Sequence, residues 1–78
     1  MTLEIISPHK VLFKGDADMV TLPGRLGSFT VLRNHAPLIS VLDKGKVAYR
    51  TPAGAEESID ISGGLADVDN NVISVCIF

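Results

Sequence analysis

The stretch Val47-Ala48-Tyr49-Arg50-Thr51-Pro52-Ala53-Gly54-Ala55-Glu56-Glu57-Ser58-Ile59-Asp60-Ile61-Ser62-Gly63-Gly64 decides the fold class. In an extended chain Val47 and Tyr49 fall on one side, with Ala48 and Arg50 on the other. Past the Pro-Gly interruption, Ile59 and Ile61 alternate with Ser58, Asp60 and Ser62. Alternation with period two marks a strand that buries one face and wets the other. The two breaks have a mechanism. Proline presets φ for a turn, and glycine accepts the positive φ that other residues resist.

Upstream, Asp18-Met19-Val20-Thr21-Leu22 aims Val20 and Leu22 the same way. Turn signals recur at Lys14-Gly15-Asp16, Pro23-Gly24, Arg33-Asn34, Asp43-Lys44-Gly45 and Asp69-Asn70-Asn71. Turns spaced roughly 8–12 residues apart are the signature of an all-β sandwich or barrel. No window repeats apolar residues at i, i+3, i+4 and i+7, and β-branched residues dominate the apolar set. Asn34-His35-Ala36-Pro37 has room for one tight turn only. Val72–Phe78 is apolar on both faces, so it is either a central strand covered on both sides or a strand that meets a partner. The expected architecture is all-β: a small two-layer β-sandwich or flattened barrel of about 8–10 short strands, with no long helix. Residues 1–78 contain no linker or repeat and are expected to form one domain.

With 78 residues, 46% of them hydrophobic, the chain can fill a small core. A domain of this size buries only about 60% of the surface its unfolded chain exposes, so it packs efficiently or leans on a partner. The net charge of −2 lacks the basic face that phosphate neutralisation requires, and a nucleic-acid partner is not expected. The one cysteine, Cys76, allows no internal disulfide and reads as a small apolar strand residue. No apolar run approaches the roughly 18 residues that span a bilayer, so direct membrane insertion is not expected. The first residues do not read as a signal peptide.

Residues with catalytic potential are scattered. Gly45-Lys46 resembles the end of a phosphate loop, but Ser40 and Val47 stand where Gly and Ser or Thr are needed. Ser62-Gly63-Gly64 precedes a strand pattern and not a helix. His9 is expected in solvent, and His35 is expected to shape its loop through backbone hydrogen bonds. Asp16 and Asp18 are too few for a cation site. Glu56 and Glu57 keep a strand edge soluble. Lys44, in Leu42-Asp43-Lys44-Gly45, stands at an expected hairpin tip. An alternative function is therefore a biotinyl- or lipoyl-type carrier domain with Lys44 as the attachment site.

Four separated pieces of the sequence resemble the epsilon subunit of F-type ATP synthases. They are Leu3–Pro8 with Val11–Gly15; Thr21–Gly24 with Gly27–Leu38, including His35-Ala36-Pro37-Leu38; Ile61-Ser62-Gly63-Gly64; and Asn71–Val75. The resemblance covers the family's N-terminal β-sandwich and not its C-terminal helical pair, which implies either a naturally short form or a cut chain. Those helices restrain hydrolysis in relatives and in some bind ATP, so no nucleotide binding is expected here. The family often has proline where Arg33 stands, which implies a less rigid and more basic loop.

The resemblance also implies a function. It is that of a non-catalytic rotor subunit in the central stalk, coupling ion-driven c-ring rotation to the gamma subunit and so to ATP synthesis. It implies a peripheral location at the cytoplasmic face of the bacterial inner membrane, with no cofactor and no metal. It places the c-ring contact in the loop before the His-Ala-Pro run: Gly27, Ser28, Phe29 and Thr30, with Arg33 and Asn34 beside them. Phe29 is either an interface anchor or a core residue. His35 and Pro37 are expected to shape the loop, and Val72, Ser74 and Cys76 to contribute to a gamma contact.

Overall fold

The computed structural model describes all residues, 1–78, and every regular element in it is a strand. These are β1 (Thr2–Ile6), β2 (Val11–Asp16), β3 (Met19–Gly24), β4 (Gly27–Leu32), β5 (Leu38–Leu42), β6 (Gly45–Arg50), β7 (Glu56–Ile61), β8 (Gly64–Asp69) and β9 (Val72–Ile77). They form one sheet in the order β2-β1-β9-β8-β5-β3-β6-β7, with β4 on the remaining edge of β3. The sheet curls over itself at β3. Met19, Val20 and Thr21 pair with β6, whereas Gly24 pairs with Leu42 of β5, so β3 belongs to both layers. One layer is β2-β1-β9-β8-β5 and the other is β4-β3-β6-β7. The first and last strands, β1 and β9, lie side by side and parallel.

Alternation places the core. On β1, β9 and β8 the inward residues form cross-strand rows, Leu3–Ile73–Val68 and Ile5–Val75–Ala66, all buried. Facing them are Val20, Leu22, Val31, Val47, Tyr49 and Ile61. The Phe13 and Tyr49 rings meet between layers with centroids 4.5 Å apart. Each fully buried Leu, Ile or Val contributes about 1.5–3 kcal/mol, which lets so short a chain close a core. No buried polar side-chain atom lacks a hydrogen-bond partner.

The turns follow their residues. Asp69 pairs with Val72 around a two-residue loop, and Asn70 and Asn71 have φ of 47° and 60°. That is the backbone of a hairpin turn matched to strand twist, which asparagine tolerates. At Gly64 the β8 backbone lies so close to β9 that any Cβ would collide with the Cys76 carbonyl.

Some turn expectations are corrected. Lys14-Gly15-Asp16 lies within β2, where the Phe13 ring covers Gly15. Pro23-Gly24 ends β3, and the reversal falls one step later at Arg25-Leu26. Asp43-Lys44 is not a hairpin tip: β5 and β6 do not pair with each other, and the chain there crosses between layers. The Lys44 presentation on which the carrier alternative rested is absent. Val72–Ile77 is central but covered on one side only. Ile73 and Val75 are buried, while Val72 and Cys76 are exposed.

Candidate interaction surfaces

Interstrand register turns the outer face of the first layer into a map. Val41 pairs with Leu65, Leu65 with Cys76, Cys76 with Ile6, and Ile6 with Val11. These side chains form an unbroken apolar row across five strands. A bulge in β2 makes its last step possible. Leu12 is the extra residue between Val11 and Phe13, so Leu12 and Phe13 both turn to the core and Val11 turns out. Val11 remains 56% exposed, Leu65 44% and Val41 39%. Three of the row's members are therefore apolar side chains left open to water on one flat face.

The next row is Ile39–Asp67–Ser74–Glu4–Lys14, and beyond it lies Asp69–Val72–Thr2–Asp16. Glu4 and Lys14 are 3.7 Å apart. Val72, Ser74 and Cys76 thus share this outer face, one in each row. Cys76 sits within the apolar row, while Ser74 and Val72 sit among charged neighbours.

The second surface lies at the far end, around the β3–β4 reversal. Arg25 and Leu26 form the tip, and it is folded down onto β5. The Arg25 N–H donates to the Val41 carbonyl at 2.9 Å, and the Asp43 N–H donates to the Pro23 carbonyl at 2.8 Å. The Arg25 guanidinium meets the Asp43 carboxylate at 3.2 Å, an exposed pair that adds little. Between the tip and β5 runs an open groove of about 730 Å³, lined by Leu26, Phe29, His35, Leu38, Ile39 and Val41 among others. Ile39 and Val41 therefore border both surfaces.

Gly27, Ser28, Phe29 and Thr30 are not a loop; they are the first residues of β4. Strand alternation splits them. Phe29 is half-buried against the core and lines the groove, Gly27 and Ser28 are exposed at its rim, and Thr30 is exposed on the opposite side of the strand. The Thr30 hydroxyl lies 2.9 Å from that of Thr21, on the outer face of the second layer. Arg33 and Asn34 are exposed in the turn after β4, and Asn34 has a φ of 66°. The His35 N–H donates to the Leu32 carbonyl at 3.1 Å, and its Nδ1 lies 2.7 Å from the Ala36 carbonyl. Pro37 is exposed just before β5. Sequence reasoning missed Leu26, the most exposed large apolar side chain of all. Its signal was present: a leucine directly after the Pro-Gly-Arg run, where polar tip residues are the norm.

Burial, and behind it the negative charge of Glu57, raises the Tyr49 phenol above its ordinary value of 10.0. Both surfaces are shaped for contact, since one is a flat apolar row and the other an open groove beside a fully exposed leucine.

The ATP synthase delta/epsilon chain beta-sandwich domain family matches residues 1–77. The chain belongs to that family. Among its relatives, the ATP synthase epsilon chain of Chlorobaculum tepidum is 40% identical over 70 residues, covering 90% of this chain and 80% of the relative. The epsilon chain of a Sulfurovum species is 44% identical over 69 residues, covering 88% of this chain but only 54% of the relative. The chain therefore spans about half the length of some of the epsilon chains it matches. A chain in the Euglena gracilis mitochondrial ATP synthase structure (OSCP, F1 and c-ring) superposes with a TM-score of 0.89 at 22% identity, covering 96% of this chain and 48% of that one. At that identity the likeness establishes the fold alone, over nearly all of this chain.

Proposed function

We propose that residues 1–78 act as one non-catalytic block of the epsilon type in the central stalk of a rotary ATP synthase. The block couples ion-driven rotation of the c-ring to the gamma subunit, and through it to ATP synthesis. The observation that carries this reading is the apolar row Val41–Leu65–Cys76–Ile6–Val11, exposed on a sandwich whose family match runs over residues 1–77. The row is the gamma-docking face, and Val72 and Ser74 extend it along β9. The groove edge, with Arg25 and Leu26 before β4 and Arg33 and Asn34 after it, faces the polar loops of the c-ring. Phe29 supports that edge from beneath.

Torque transmission asks for stiffness. A close-packed two-layer core has low compressibility and passes strain on. Curling the sheet through β3 ties the two layers by backbone hydrogen bonds as well as by packing. The block makes and breaks no bonds and holds no nucleotide. Its place is peripheral, at the cytoplasmic face of the bacterial inner membrane, held there by neighbouring subunits.

The test is assembly and coupling. Tagged chain should co-purify with gamma and the c-ring. Complexes depleted of it should hydrolyse ATP with reduced ion pumping per ATP, restored on adding the chain back. Full pumping in its absence would overturn the reading.

A further inference from the structure

The turn Arg33-Asn34-His35 is pinned to the opposite end of the sequence by a reciprocal pair of asparagines. The Asn34 backbone N–H donates to the Asn71 Oδ1 at 2.6 Å, and the Asn71 Nδ2 donates to the Asn34 Oδ1 at 3.0 Å. The geometry is self-consistent. A backbone N–H can only donate, so it fixes which amide atom of Asn71 is oxygen, and the nitrogen then faces the Asn34 carbonyl oxygen. Both residues have positive φ, 66° at Asn34 and 60° at Asn71. Asn71 is itself held, because its carbonyl accepts from the Thr2 N–H at 2.9 Å, tying it to β1. The next residue, Val72, opens the outer-face positions of β9.

We propose that Asn71 is a positioning residue that locks the ring-facing turn to the gamma-facing sheet, so that the two contacts move as one body. The inference rests on the surface assignments proposed above. Without the pair, the turn would be tied to the body only through its own chain and the His35–Leu32 hydrogen bond. With it, a load on Arg33 passes through Asn34 and Asn71 into β9 and β1. Those two strands carry Cys76 and Ile6 of the apolar row.

The test uses the full chain with Asn71→Gly, which keeps the positive φ and deletes only the side chain, beside Asn71→Asp, which keeps the acceptor for the Asn34 N–H. Residue-resolved amide exchange should show the Asn34 amide at least about tenfold faster in N71G and largely protected in N71D, with the Val75 amide unchanged in both. Affinity for a gamma–c-ring complex should fall about tenfold in N71G, with affinity for gamma alone held within about twofold. An unchanged Asn34 exchange rate, an unchanged ring-complex affinity, or an equal loss toward gamma alone would each overturn the proposal. Arg33→Glu separates the two levels. If it weakens ring binding while N71G does not, the lock fails and the surface assignment stands. If neither weakens ring binding, the surface assignment fails with it.

Discussion

The two outward faces of the sandwich obey the same alternation but present different chemistry. Across β2-β1-β9-β8-β5 a row of Val41, Leu65, Cys76, Ile6 and Val11 lies open. Across β4-β3-β6-β7 the corresponding row is Thr30, Thr21, Ala48 and Ser58, flanked by a Lys46–Asp60 pair at 2.8 Å. The second face carries small and polar groups across its middle, a Leu32–Met19–Arg50–Glu56 row in which the apolar residues sit beside charged ones, and a charged edge strand bearing Glu56, Glu57 and Asp60. The first asks for a covering. A sandwich needs apolar residues on its two inner faces only. A third apolar surface adds nothing to folding, and a contiguous one on a small protein marks an interaction site.

The contrast can be broken from within β9, whose alternate residues serve different ends. Ile73→Ala hollows the inner face and should cost about 2–5 kcal/mol of folding stability, read from denaturant midpoints. For a chain of this size that is a large share of the total. Leu65→Asp acts on the outer face. It should leave the midpoint within about 0.5 kcal/mol while weakening gamma affinity about a hundredfold by calorimetry, since it puts a charge inside the row, beside Cys76. Ser58→Asp, at the end of the matching row on the other face, should change neither. Equal losses from Leu65→Asp and Ser58→Asp would erase the distinction between the faces.

Smaller effects sharpen it. Arg33→Glu should weaken retention on the c-ring about tenfold or less without lowering the melting temperature, because Arg33 is exposed and forms no ion pair here. The smallest effect concerns Tyr49. Its raised phenol favours the neutral form in the fold, so its share of stability is complete below the unfolded value of 10.0 and is lost as pH rises through the higher folded value. Tyr49→Phe should therefore flatten the fall in stability between about pH 8 and about pH 11, measured by denaturation at each end.

Much of the fold was legible because burial writes itself in period two. Val20, Leu22, Val47, Tyr49 and Ile61 were expected inward and are buried, and Ile59 packs against the core. Turn residues were less faithful. Gly15 serves in mid-strand because a large neighbour, Phe13, fills its space. Pro23 is tolerated in β3 because its carbonyl, not a missing N–H, is what the chain beyond β5 uses. The Lys44 corner looked like a hairpin because local residues signal a reversal without saying which strands flank it. The surfaces were harder still. A row running across strands depends on register between residues far apart in sequence, such as Ile6 with Cys76, and on the Leu12 bulge that aims Val11 outward. Likewise Gly27 through Thr30 were grouped as neighbours in sequence, and a strand sends neighbours to opposite sides.

The central claim is that the β9 face is the side covered by gamma, and the chain carries its own reporter there. Cys76 is the sole cysteine, exposed and unpaired in the middle of the row. Its rate of reaction with a small maleimide, measured on the free chain and on the chain bound to gamma, tests the claim directly. Binding should slow the reaction about tenfold or more, with the same slowing absent for a cysteine placed at Ser58. Equal rates at Cys76 in the free and bound chain would contradict it.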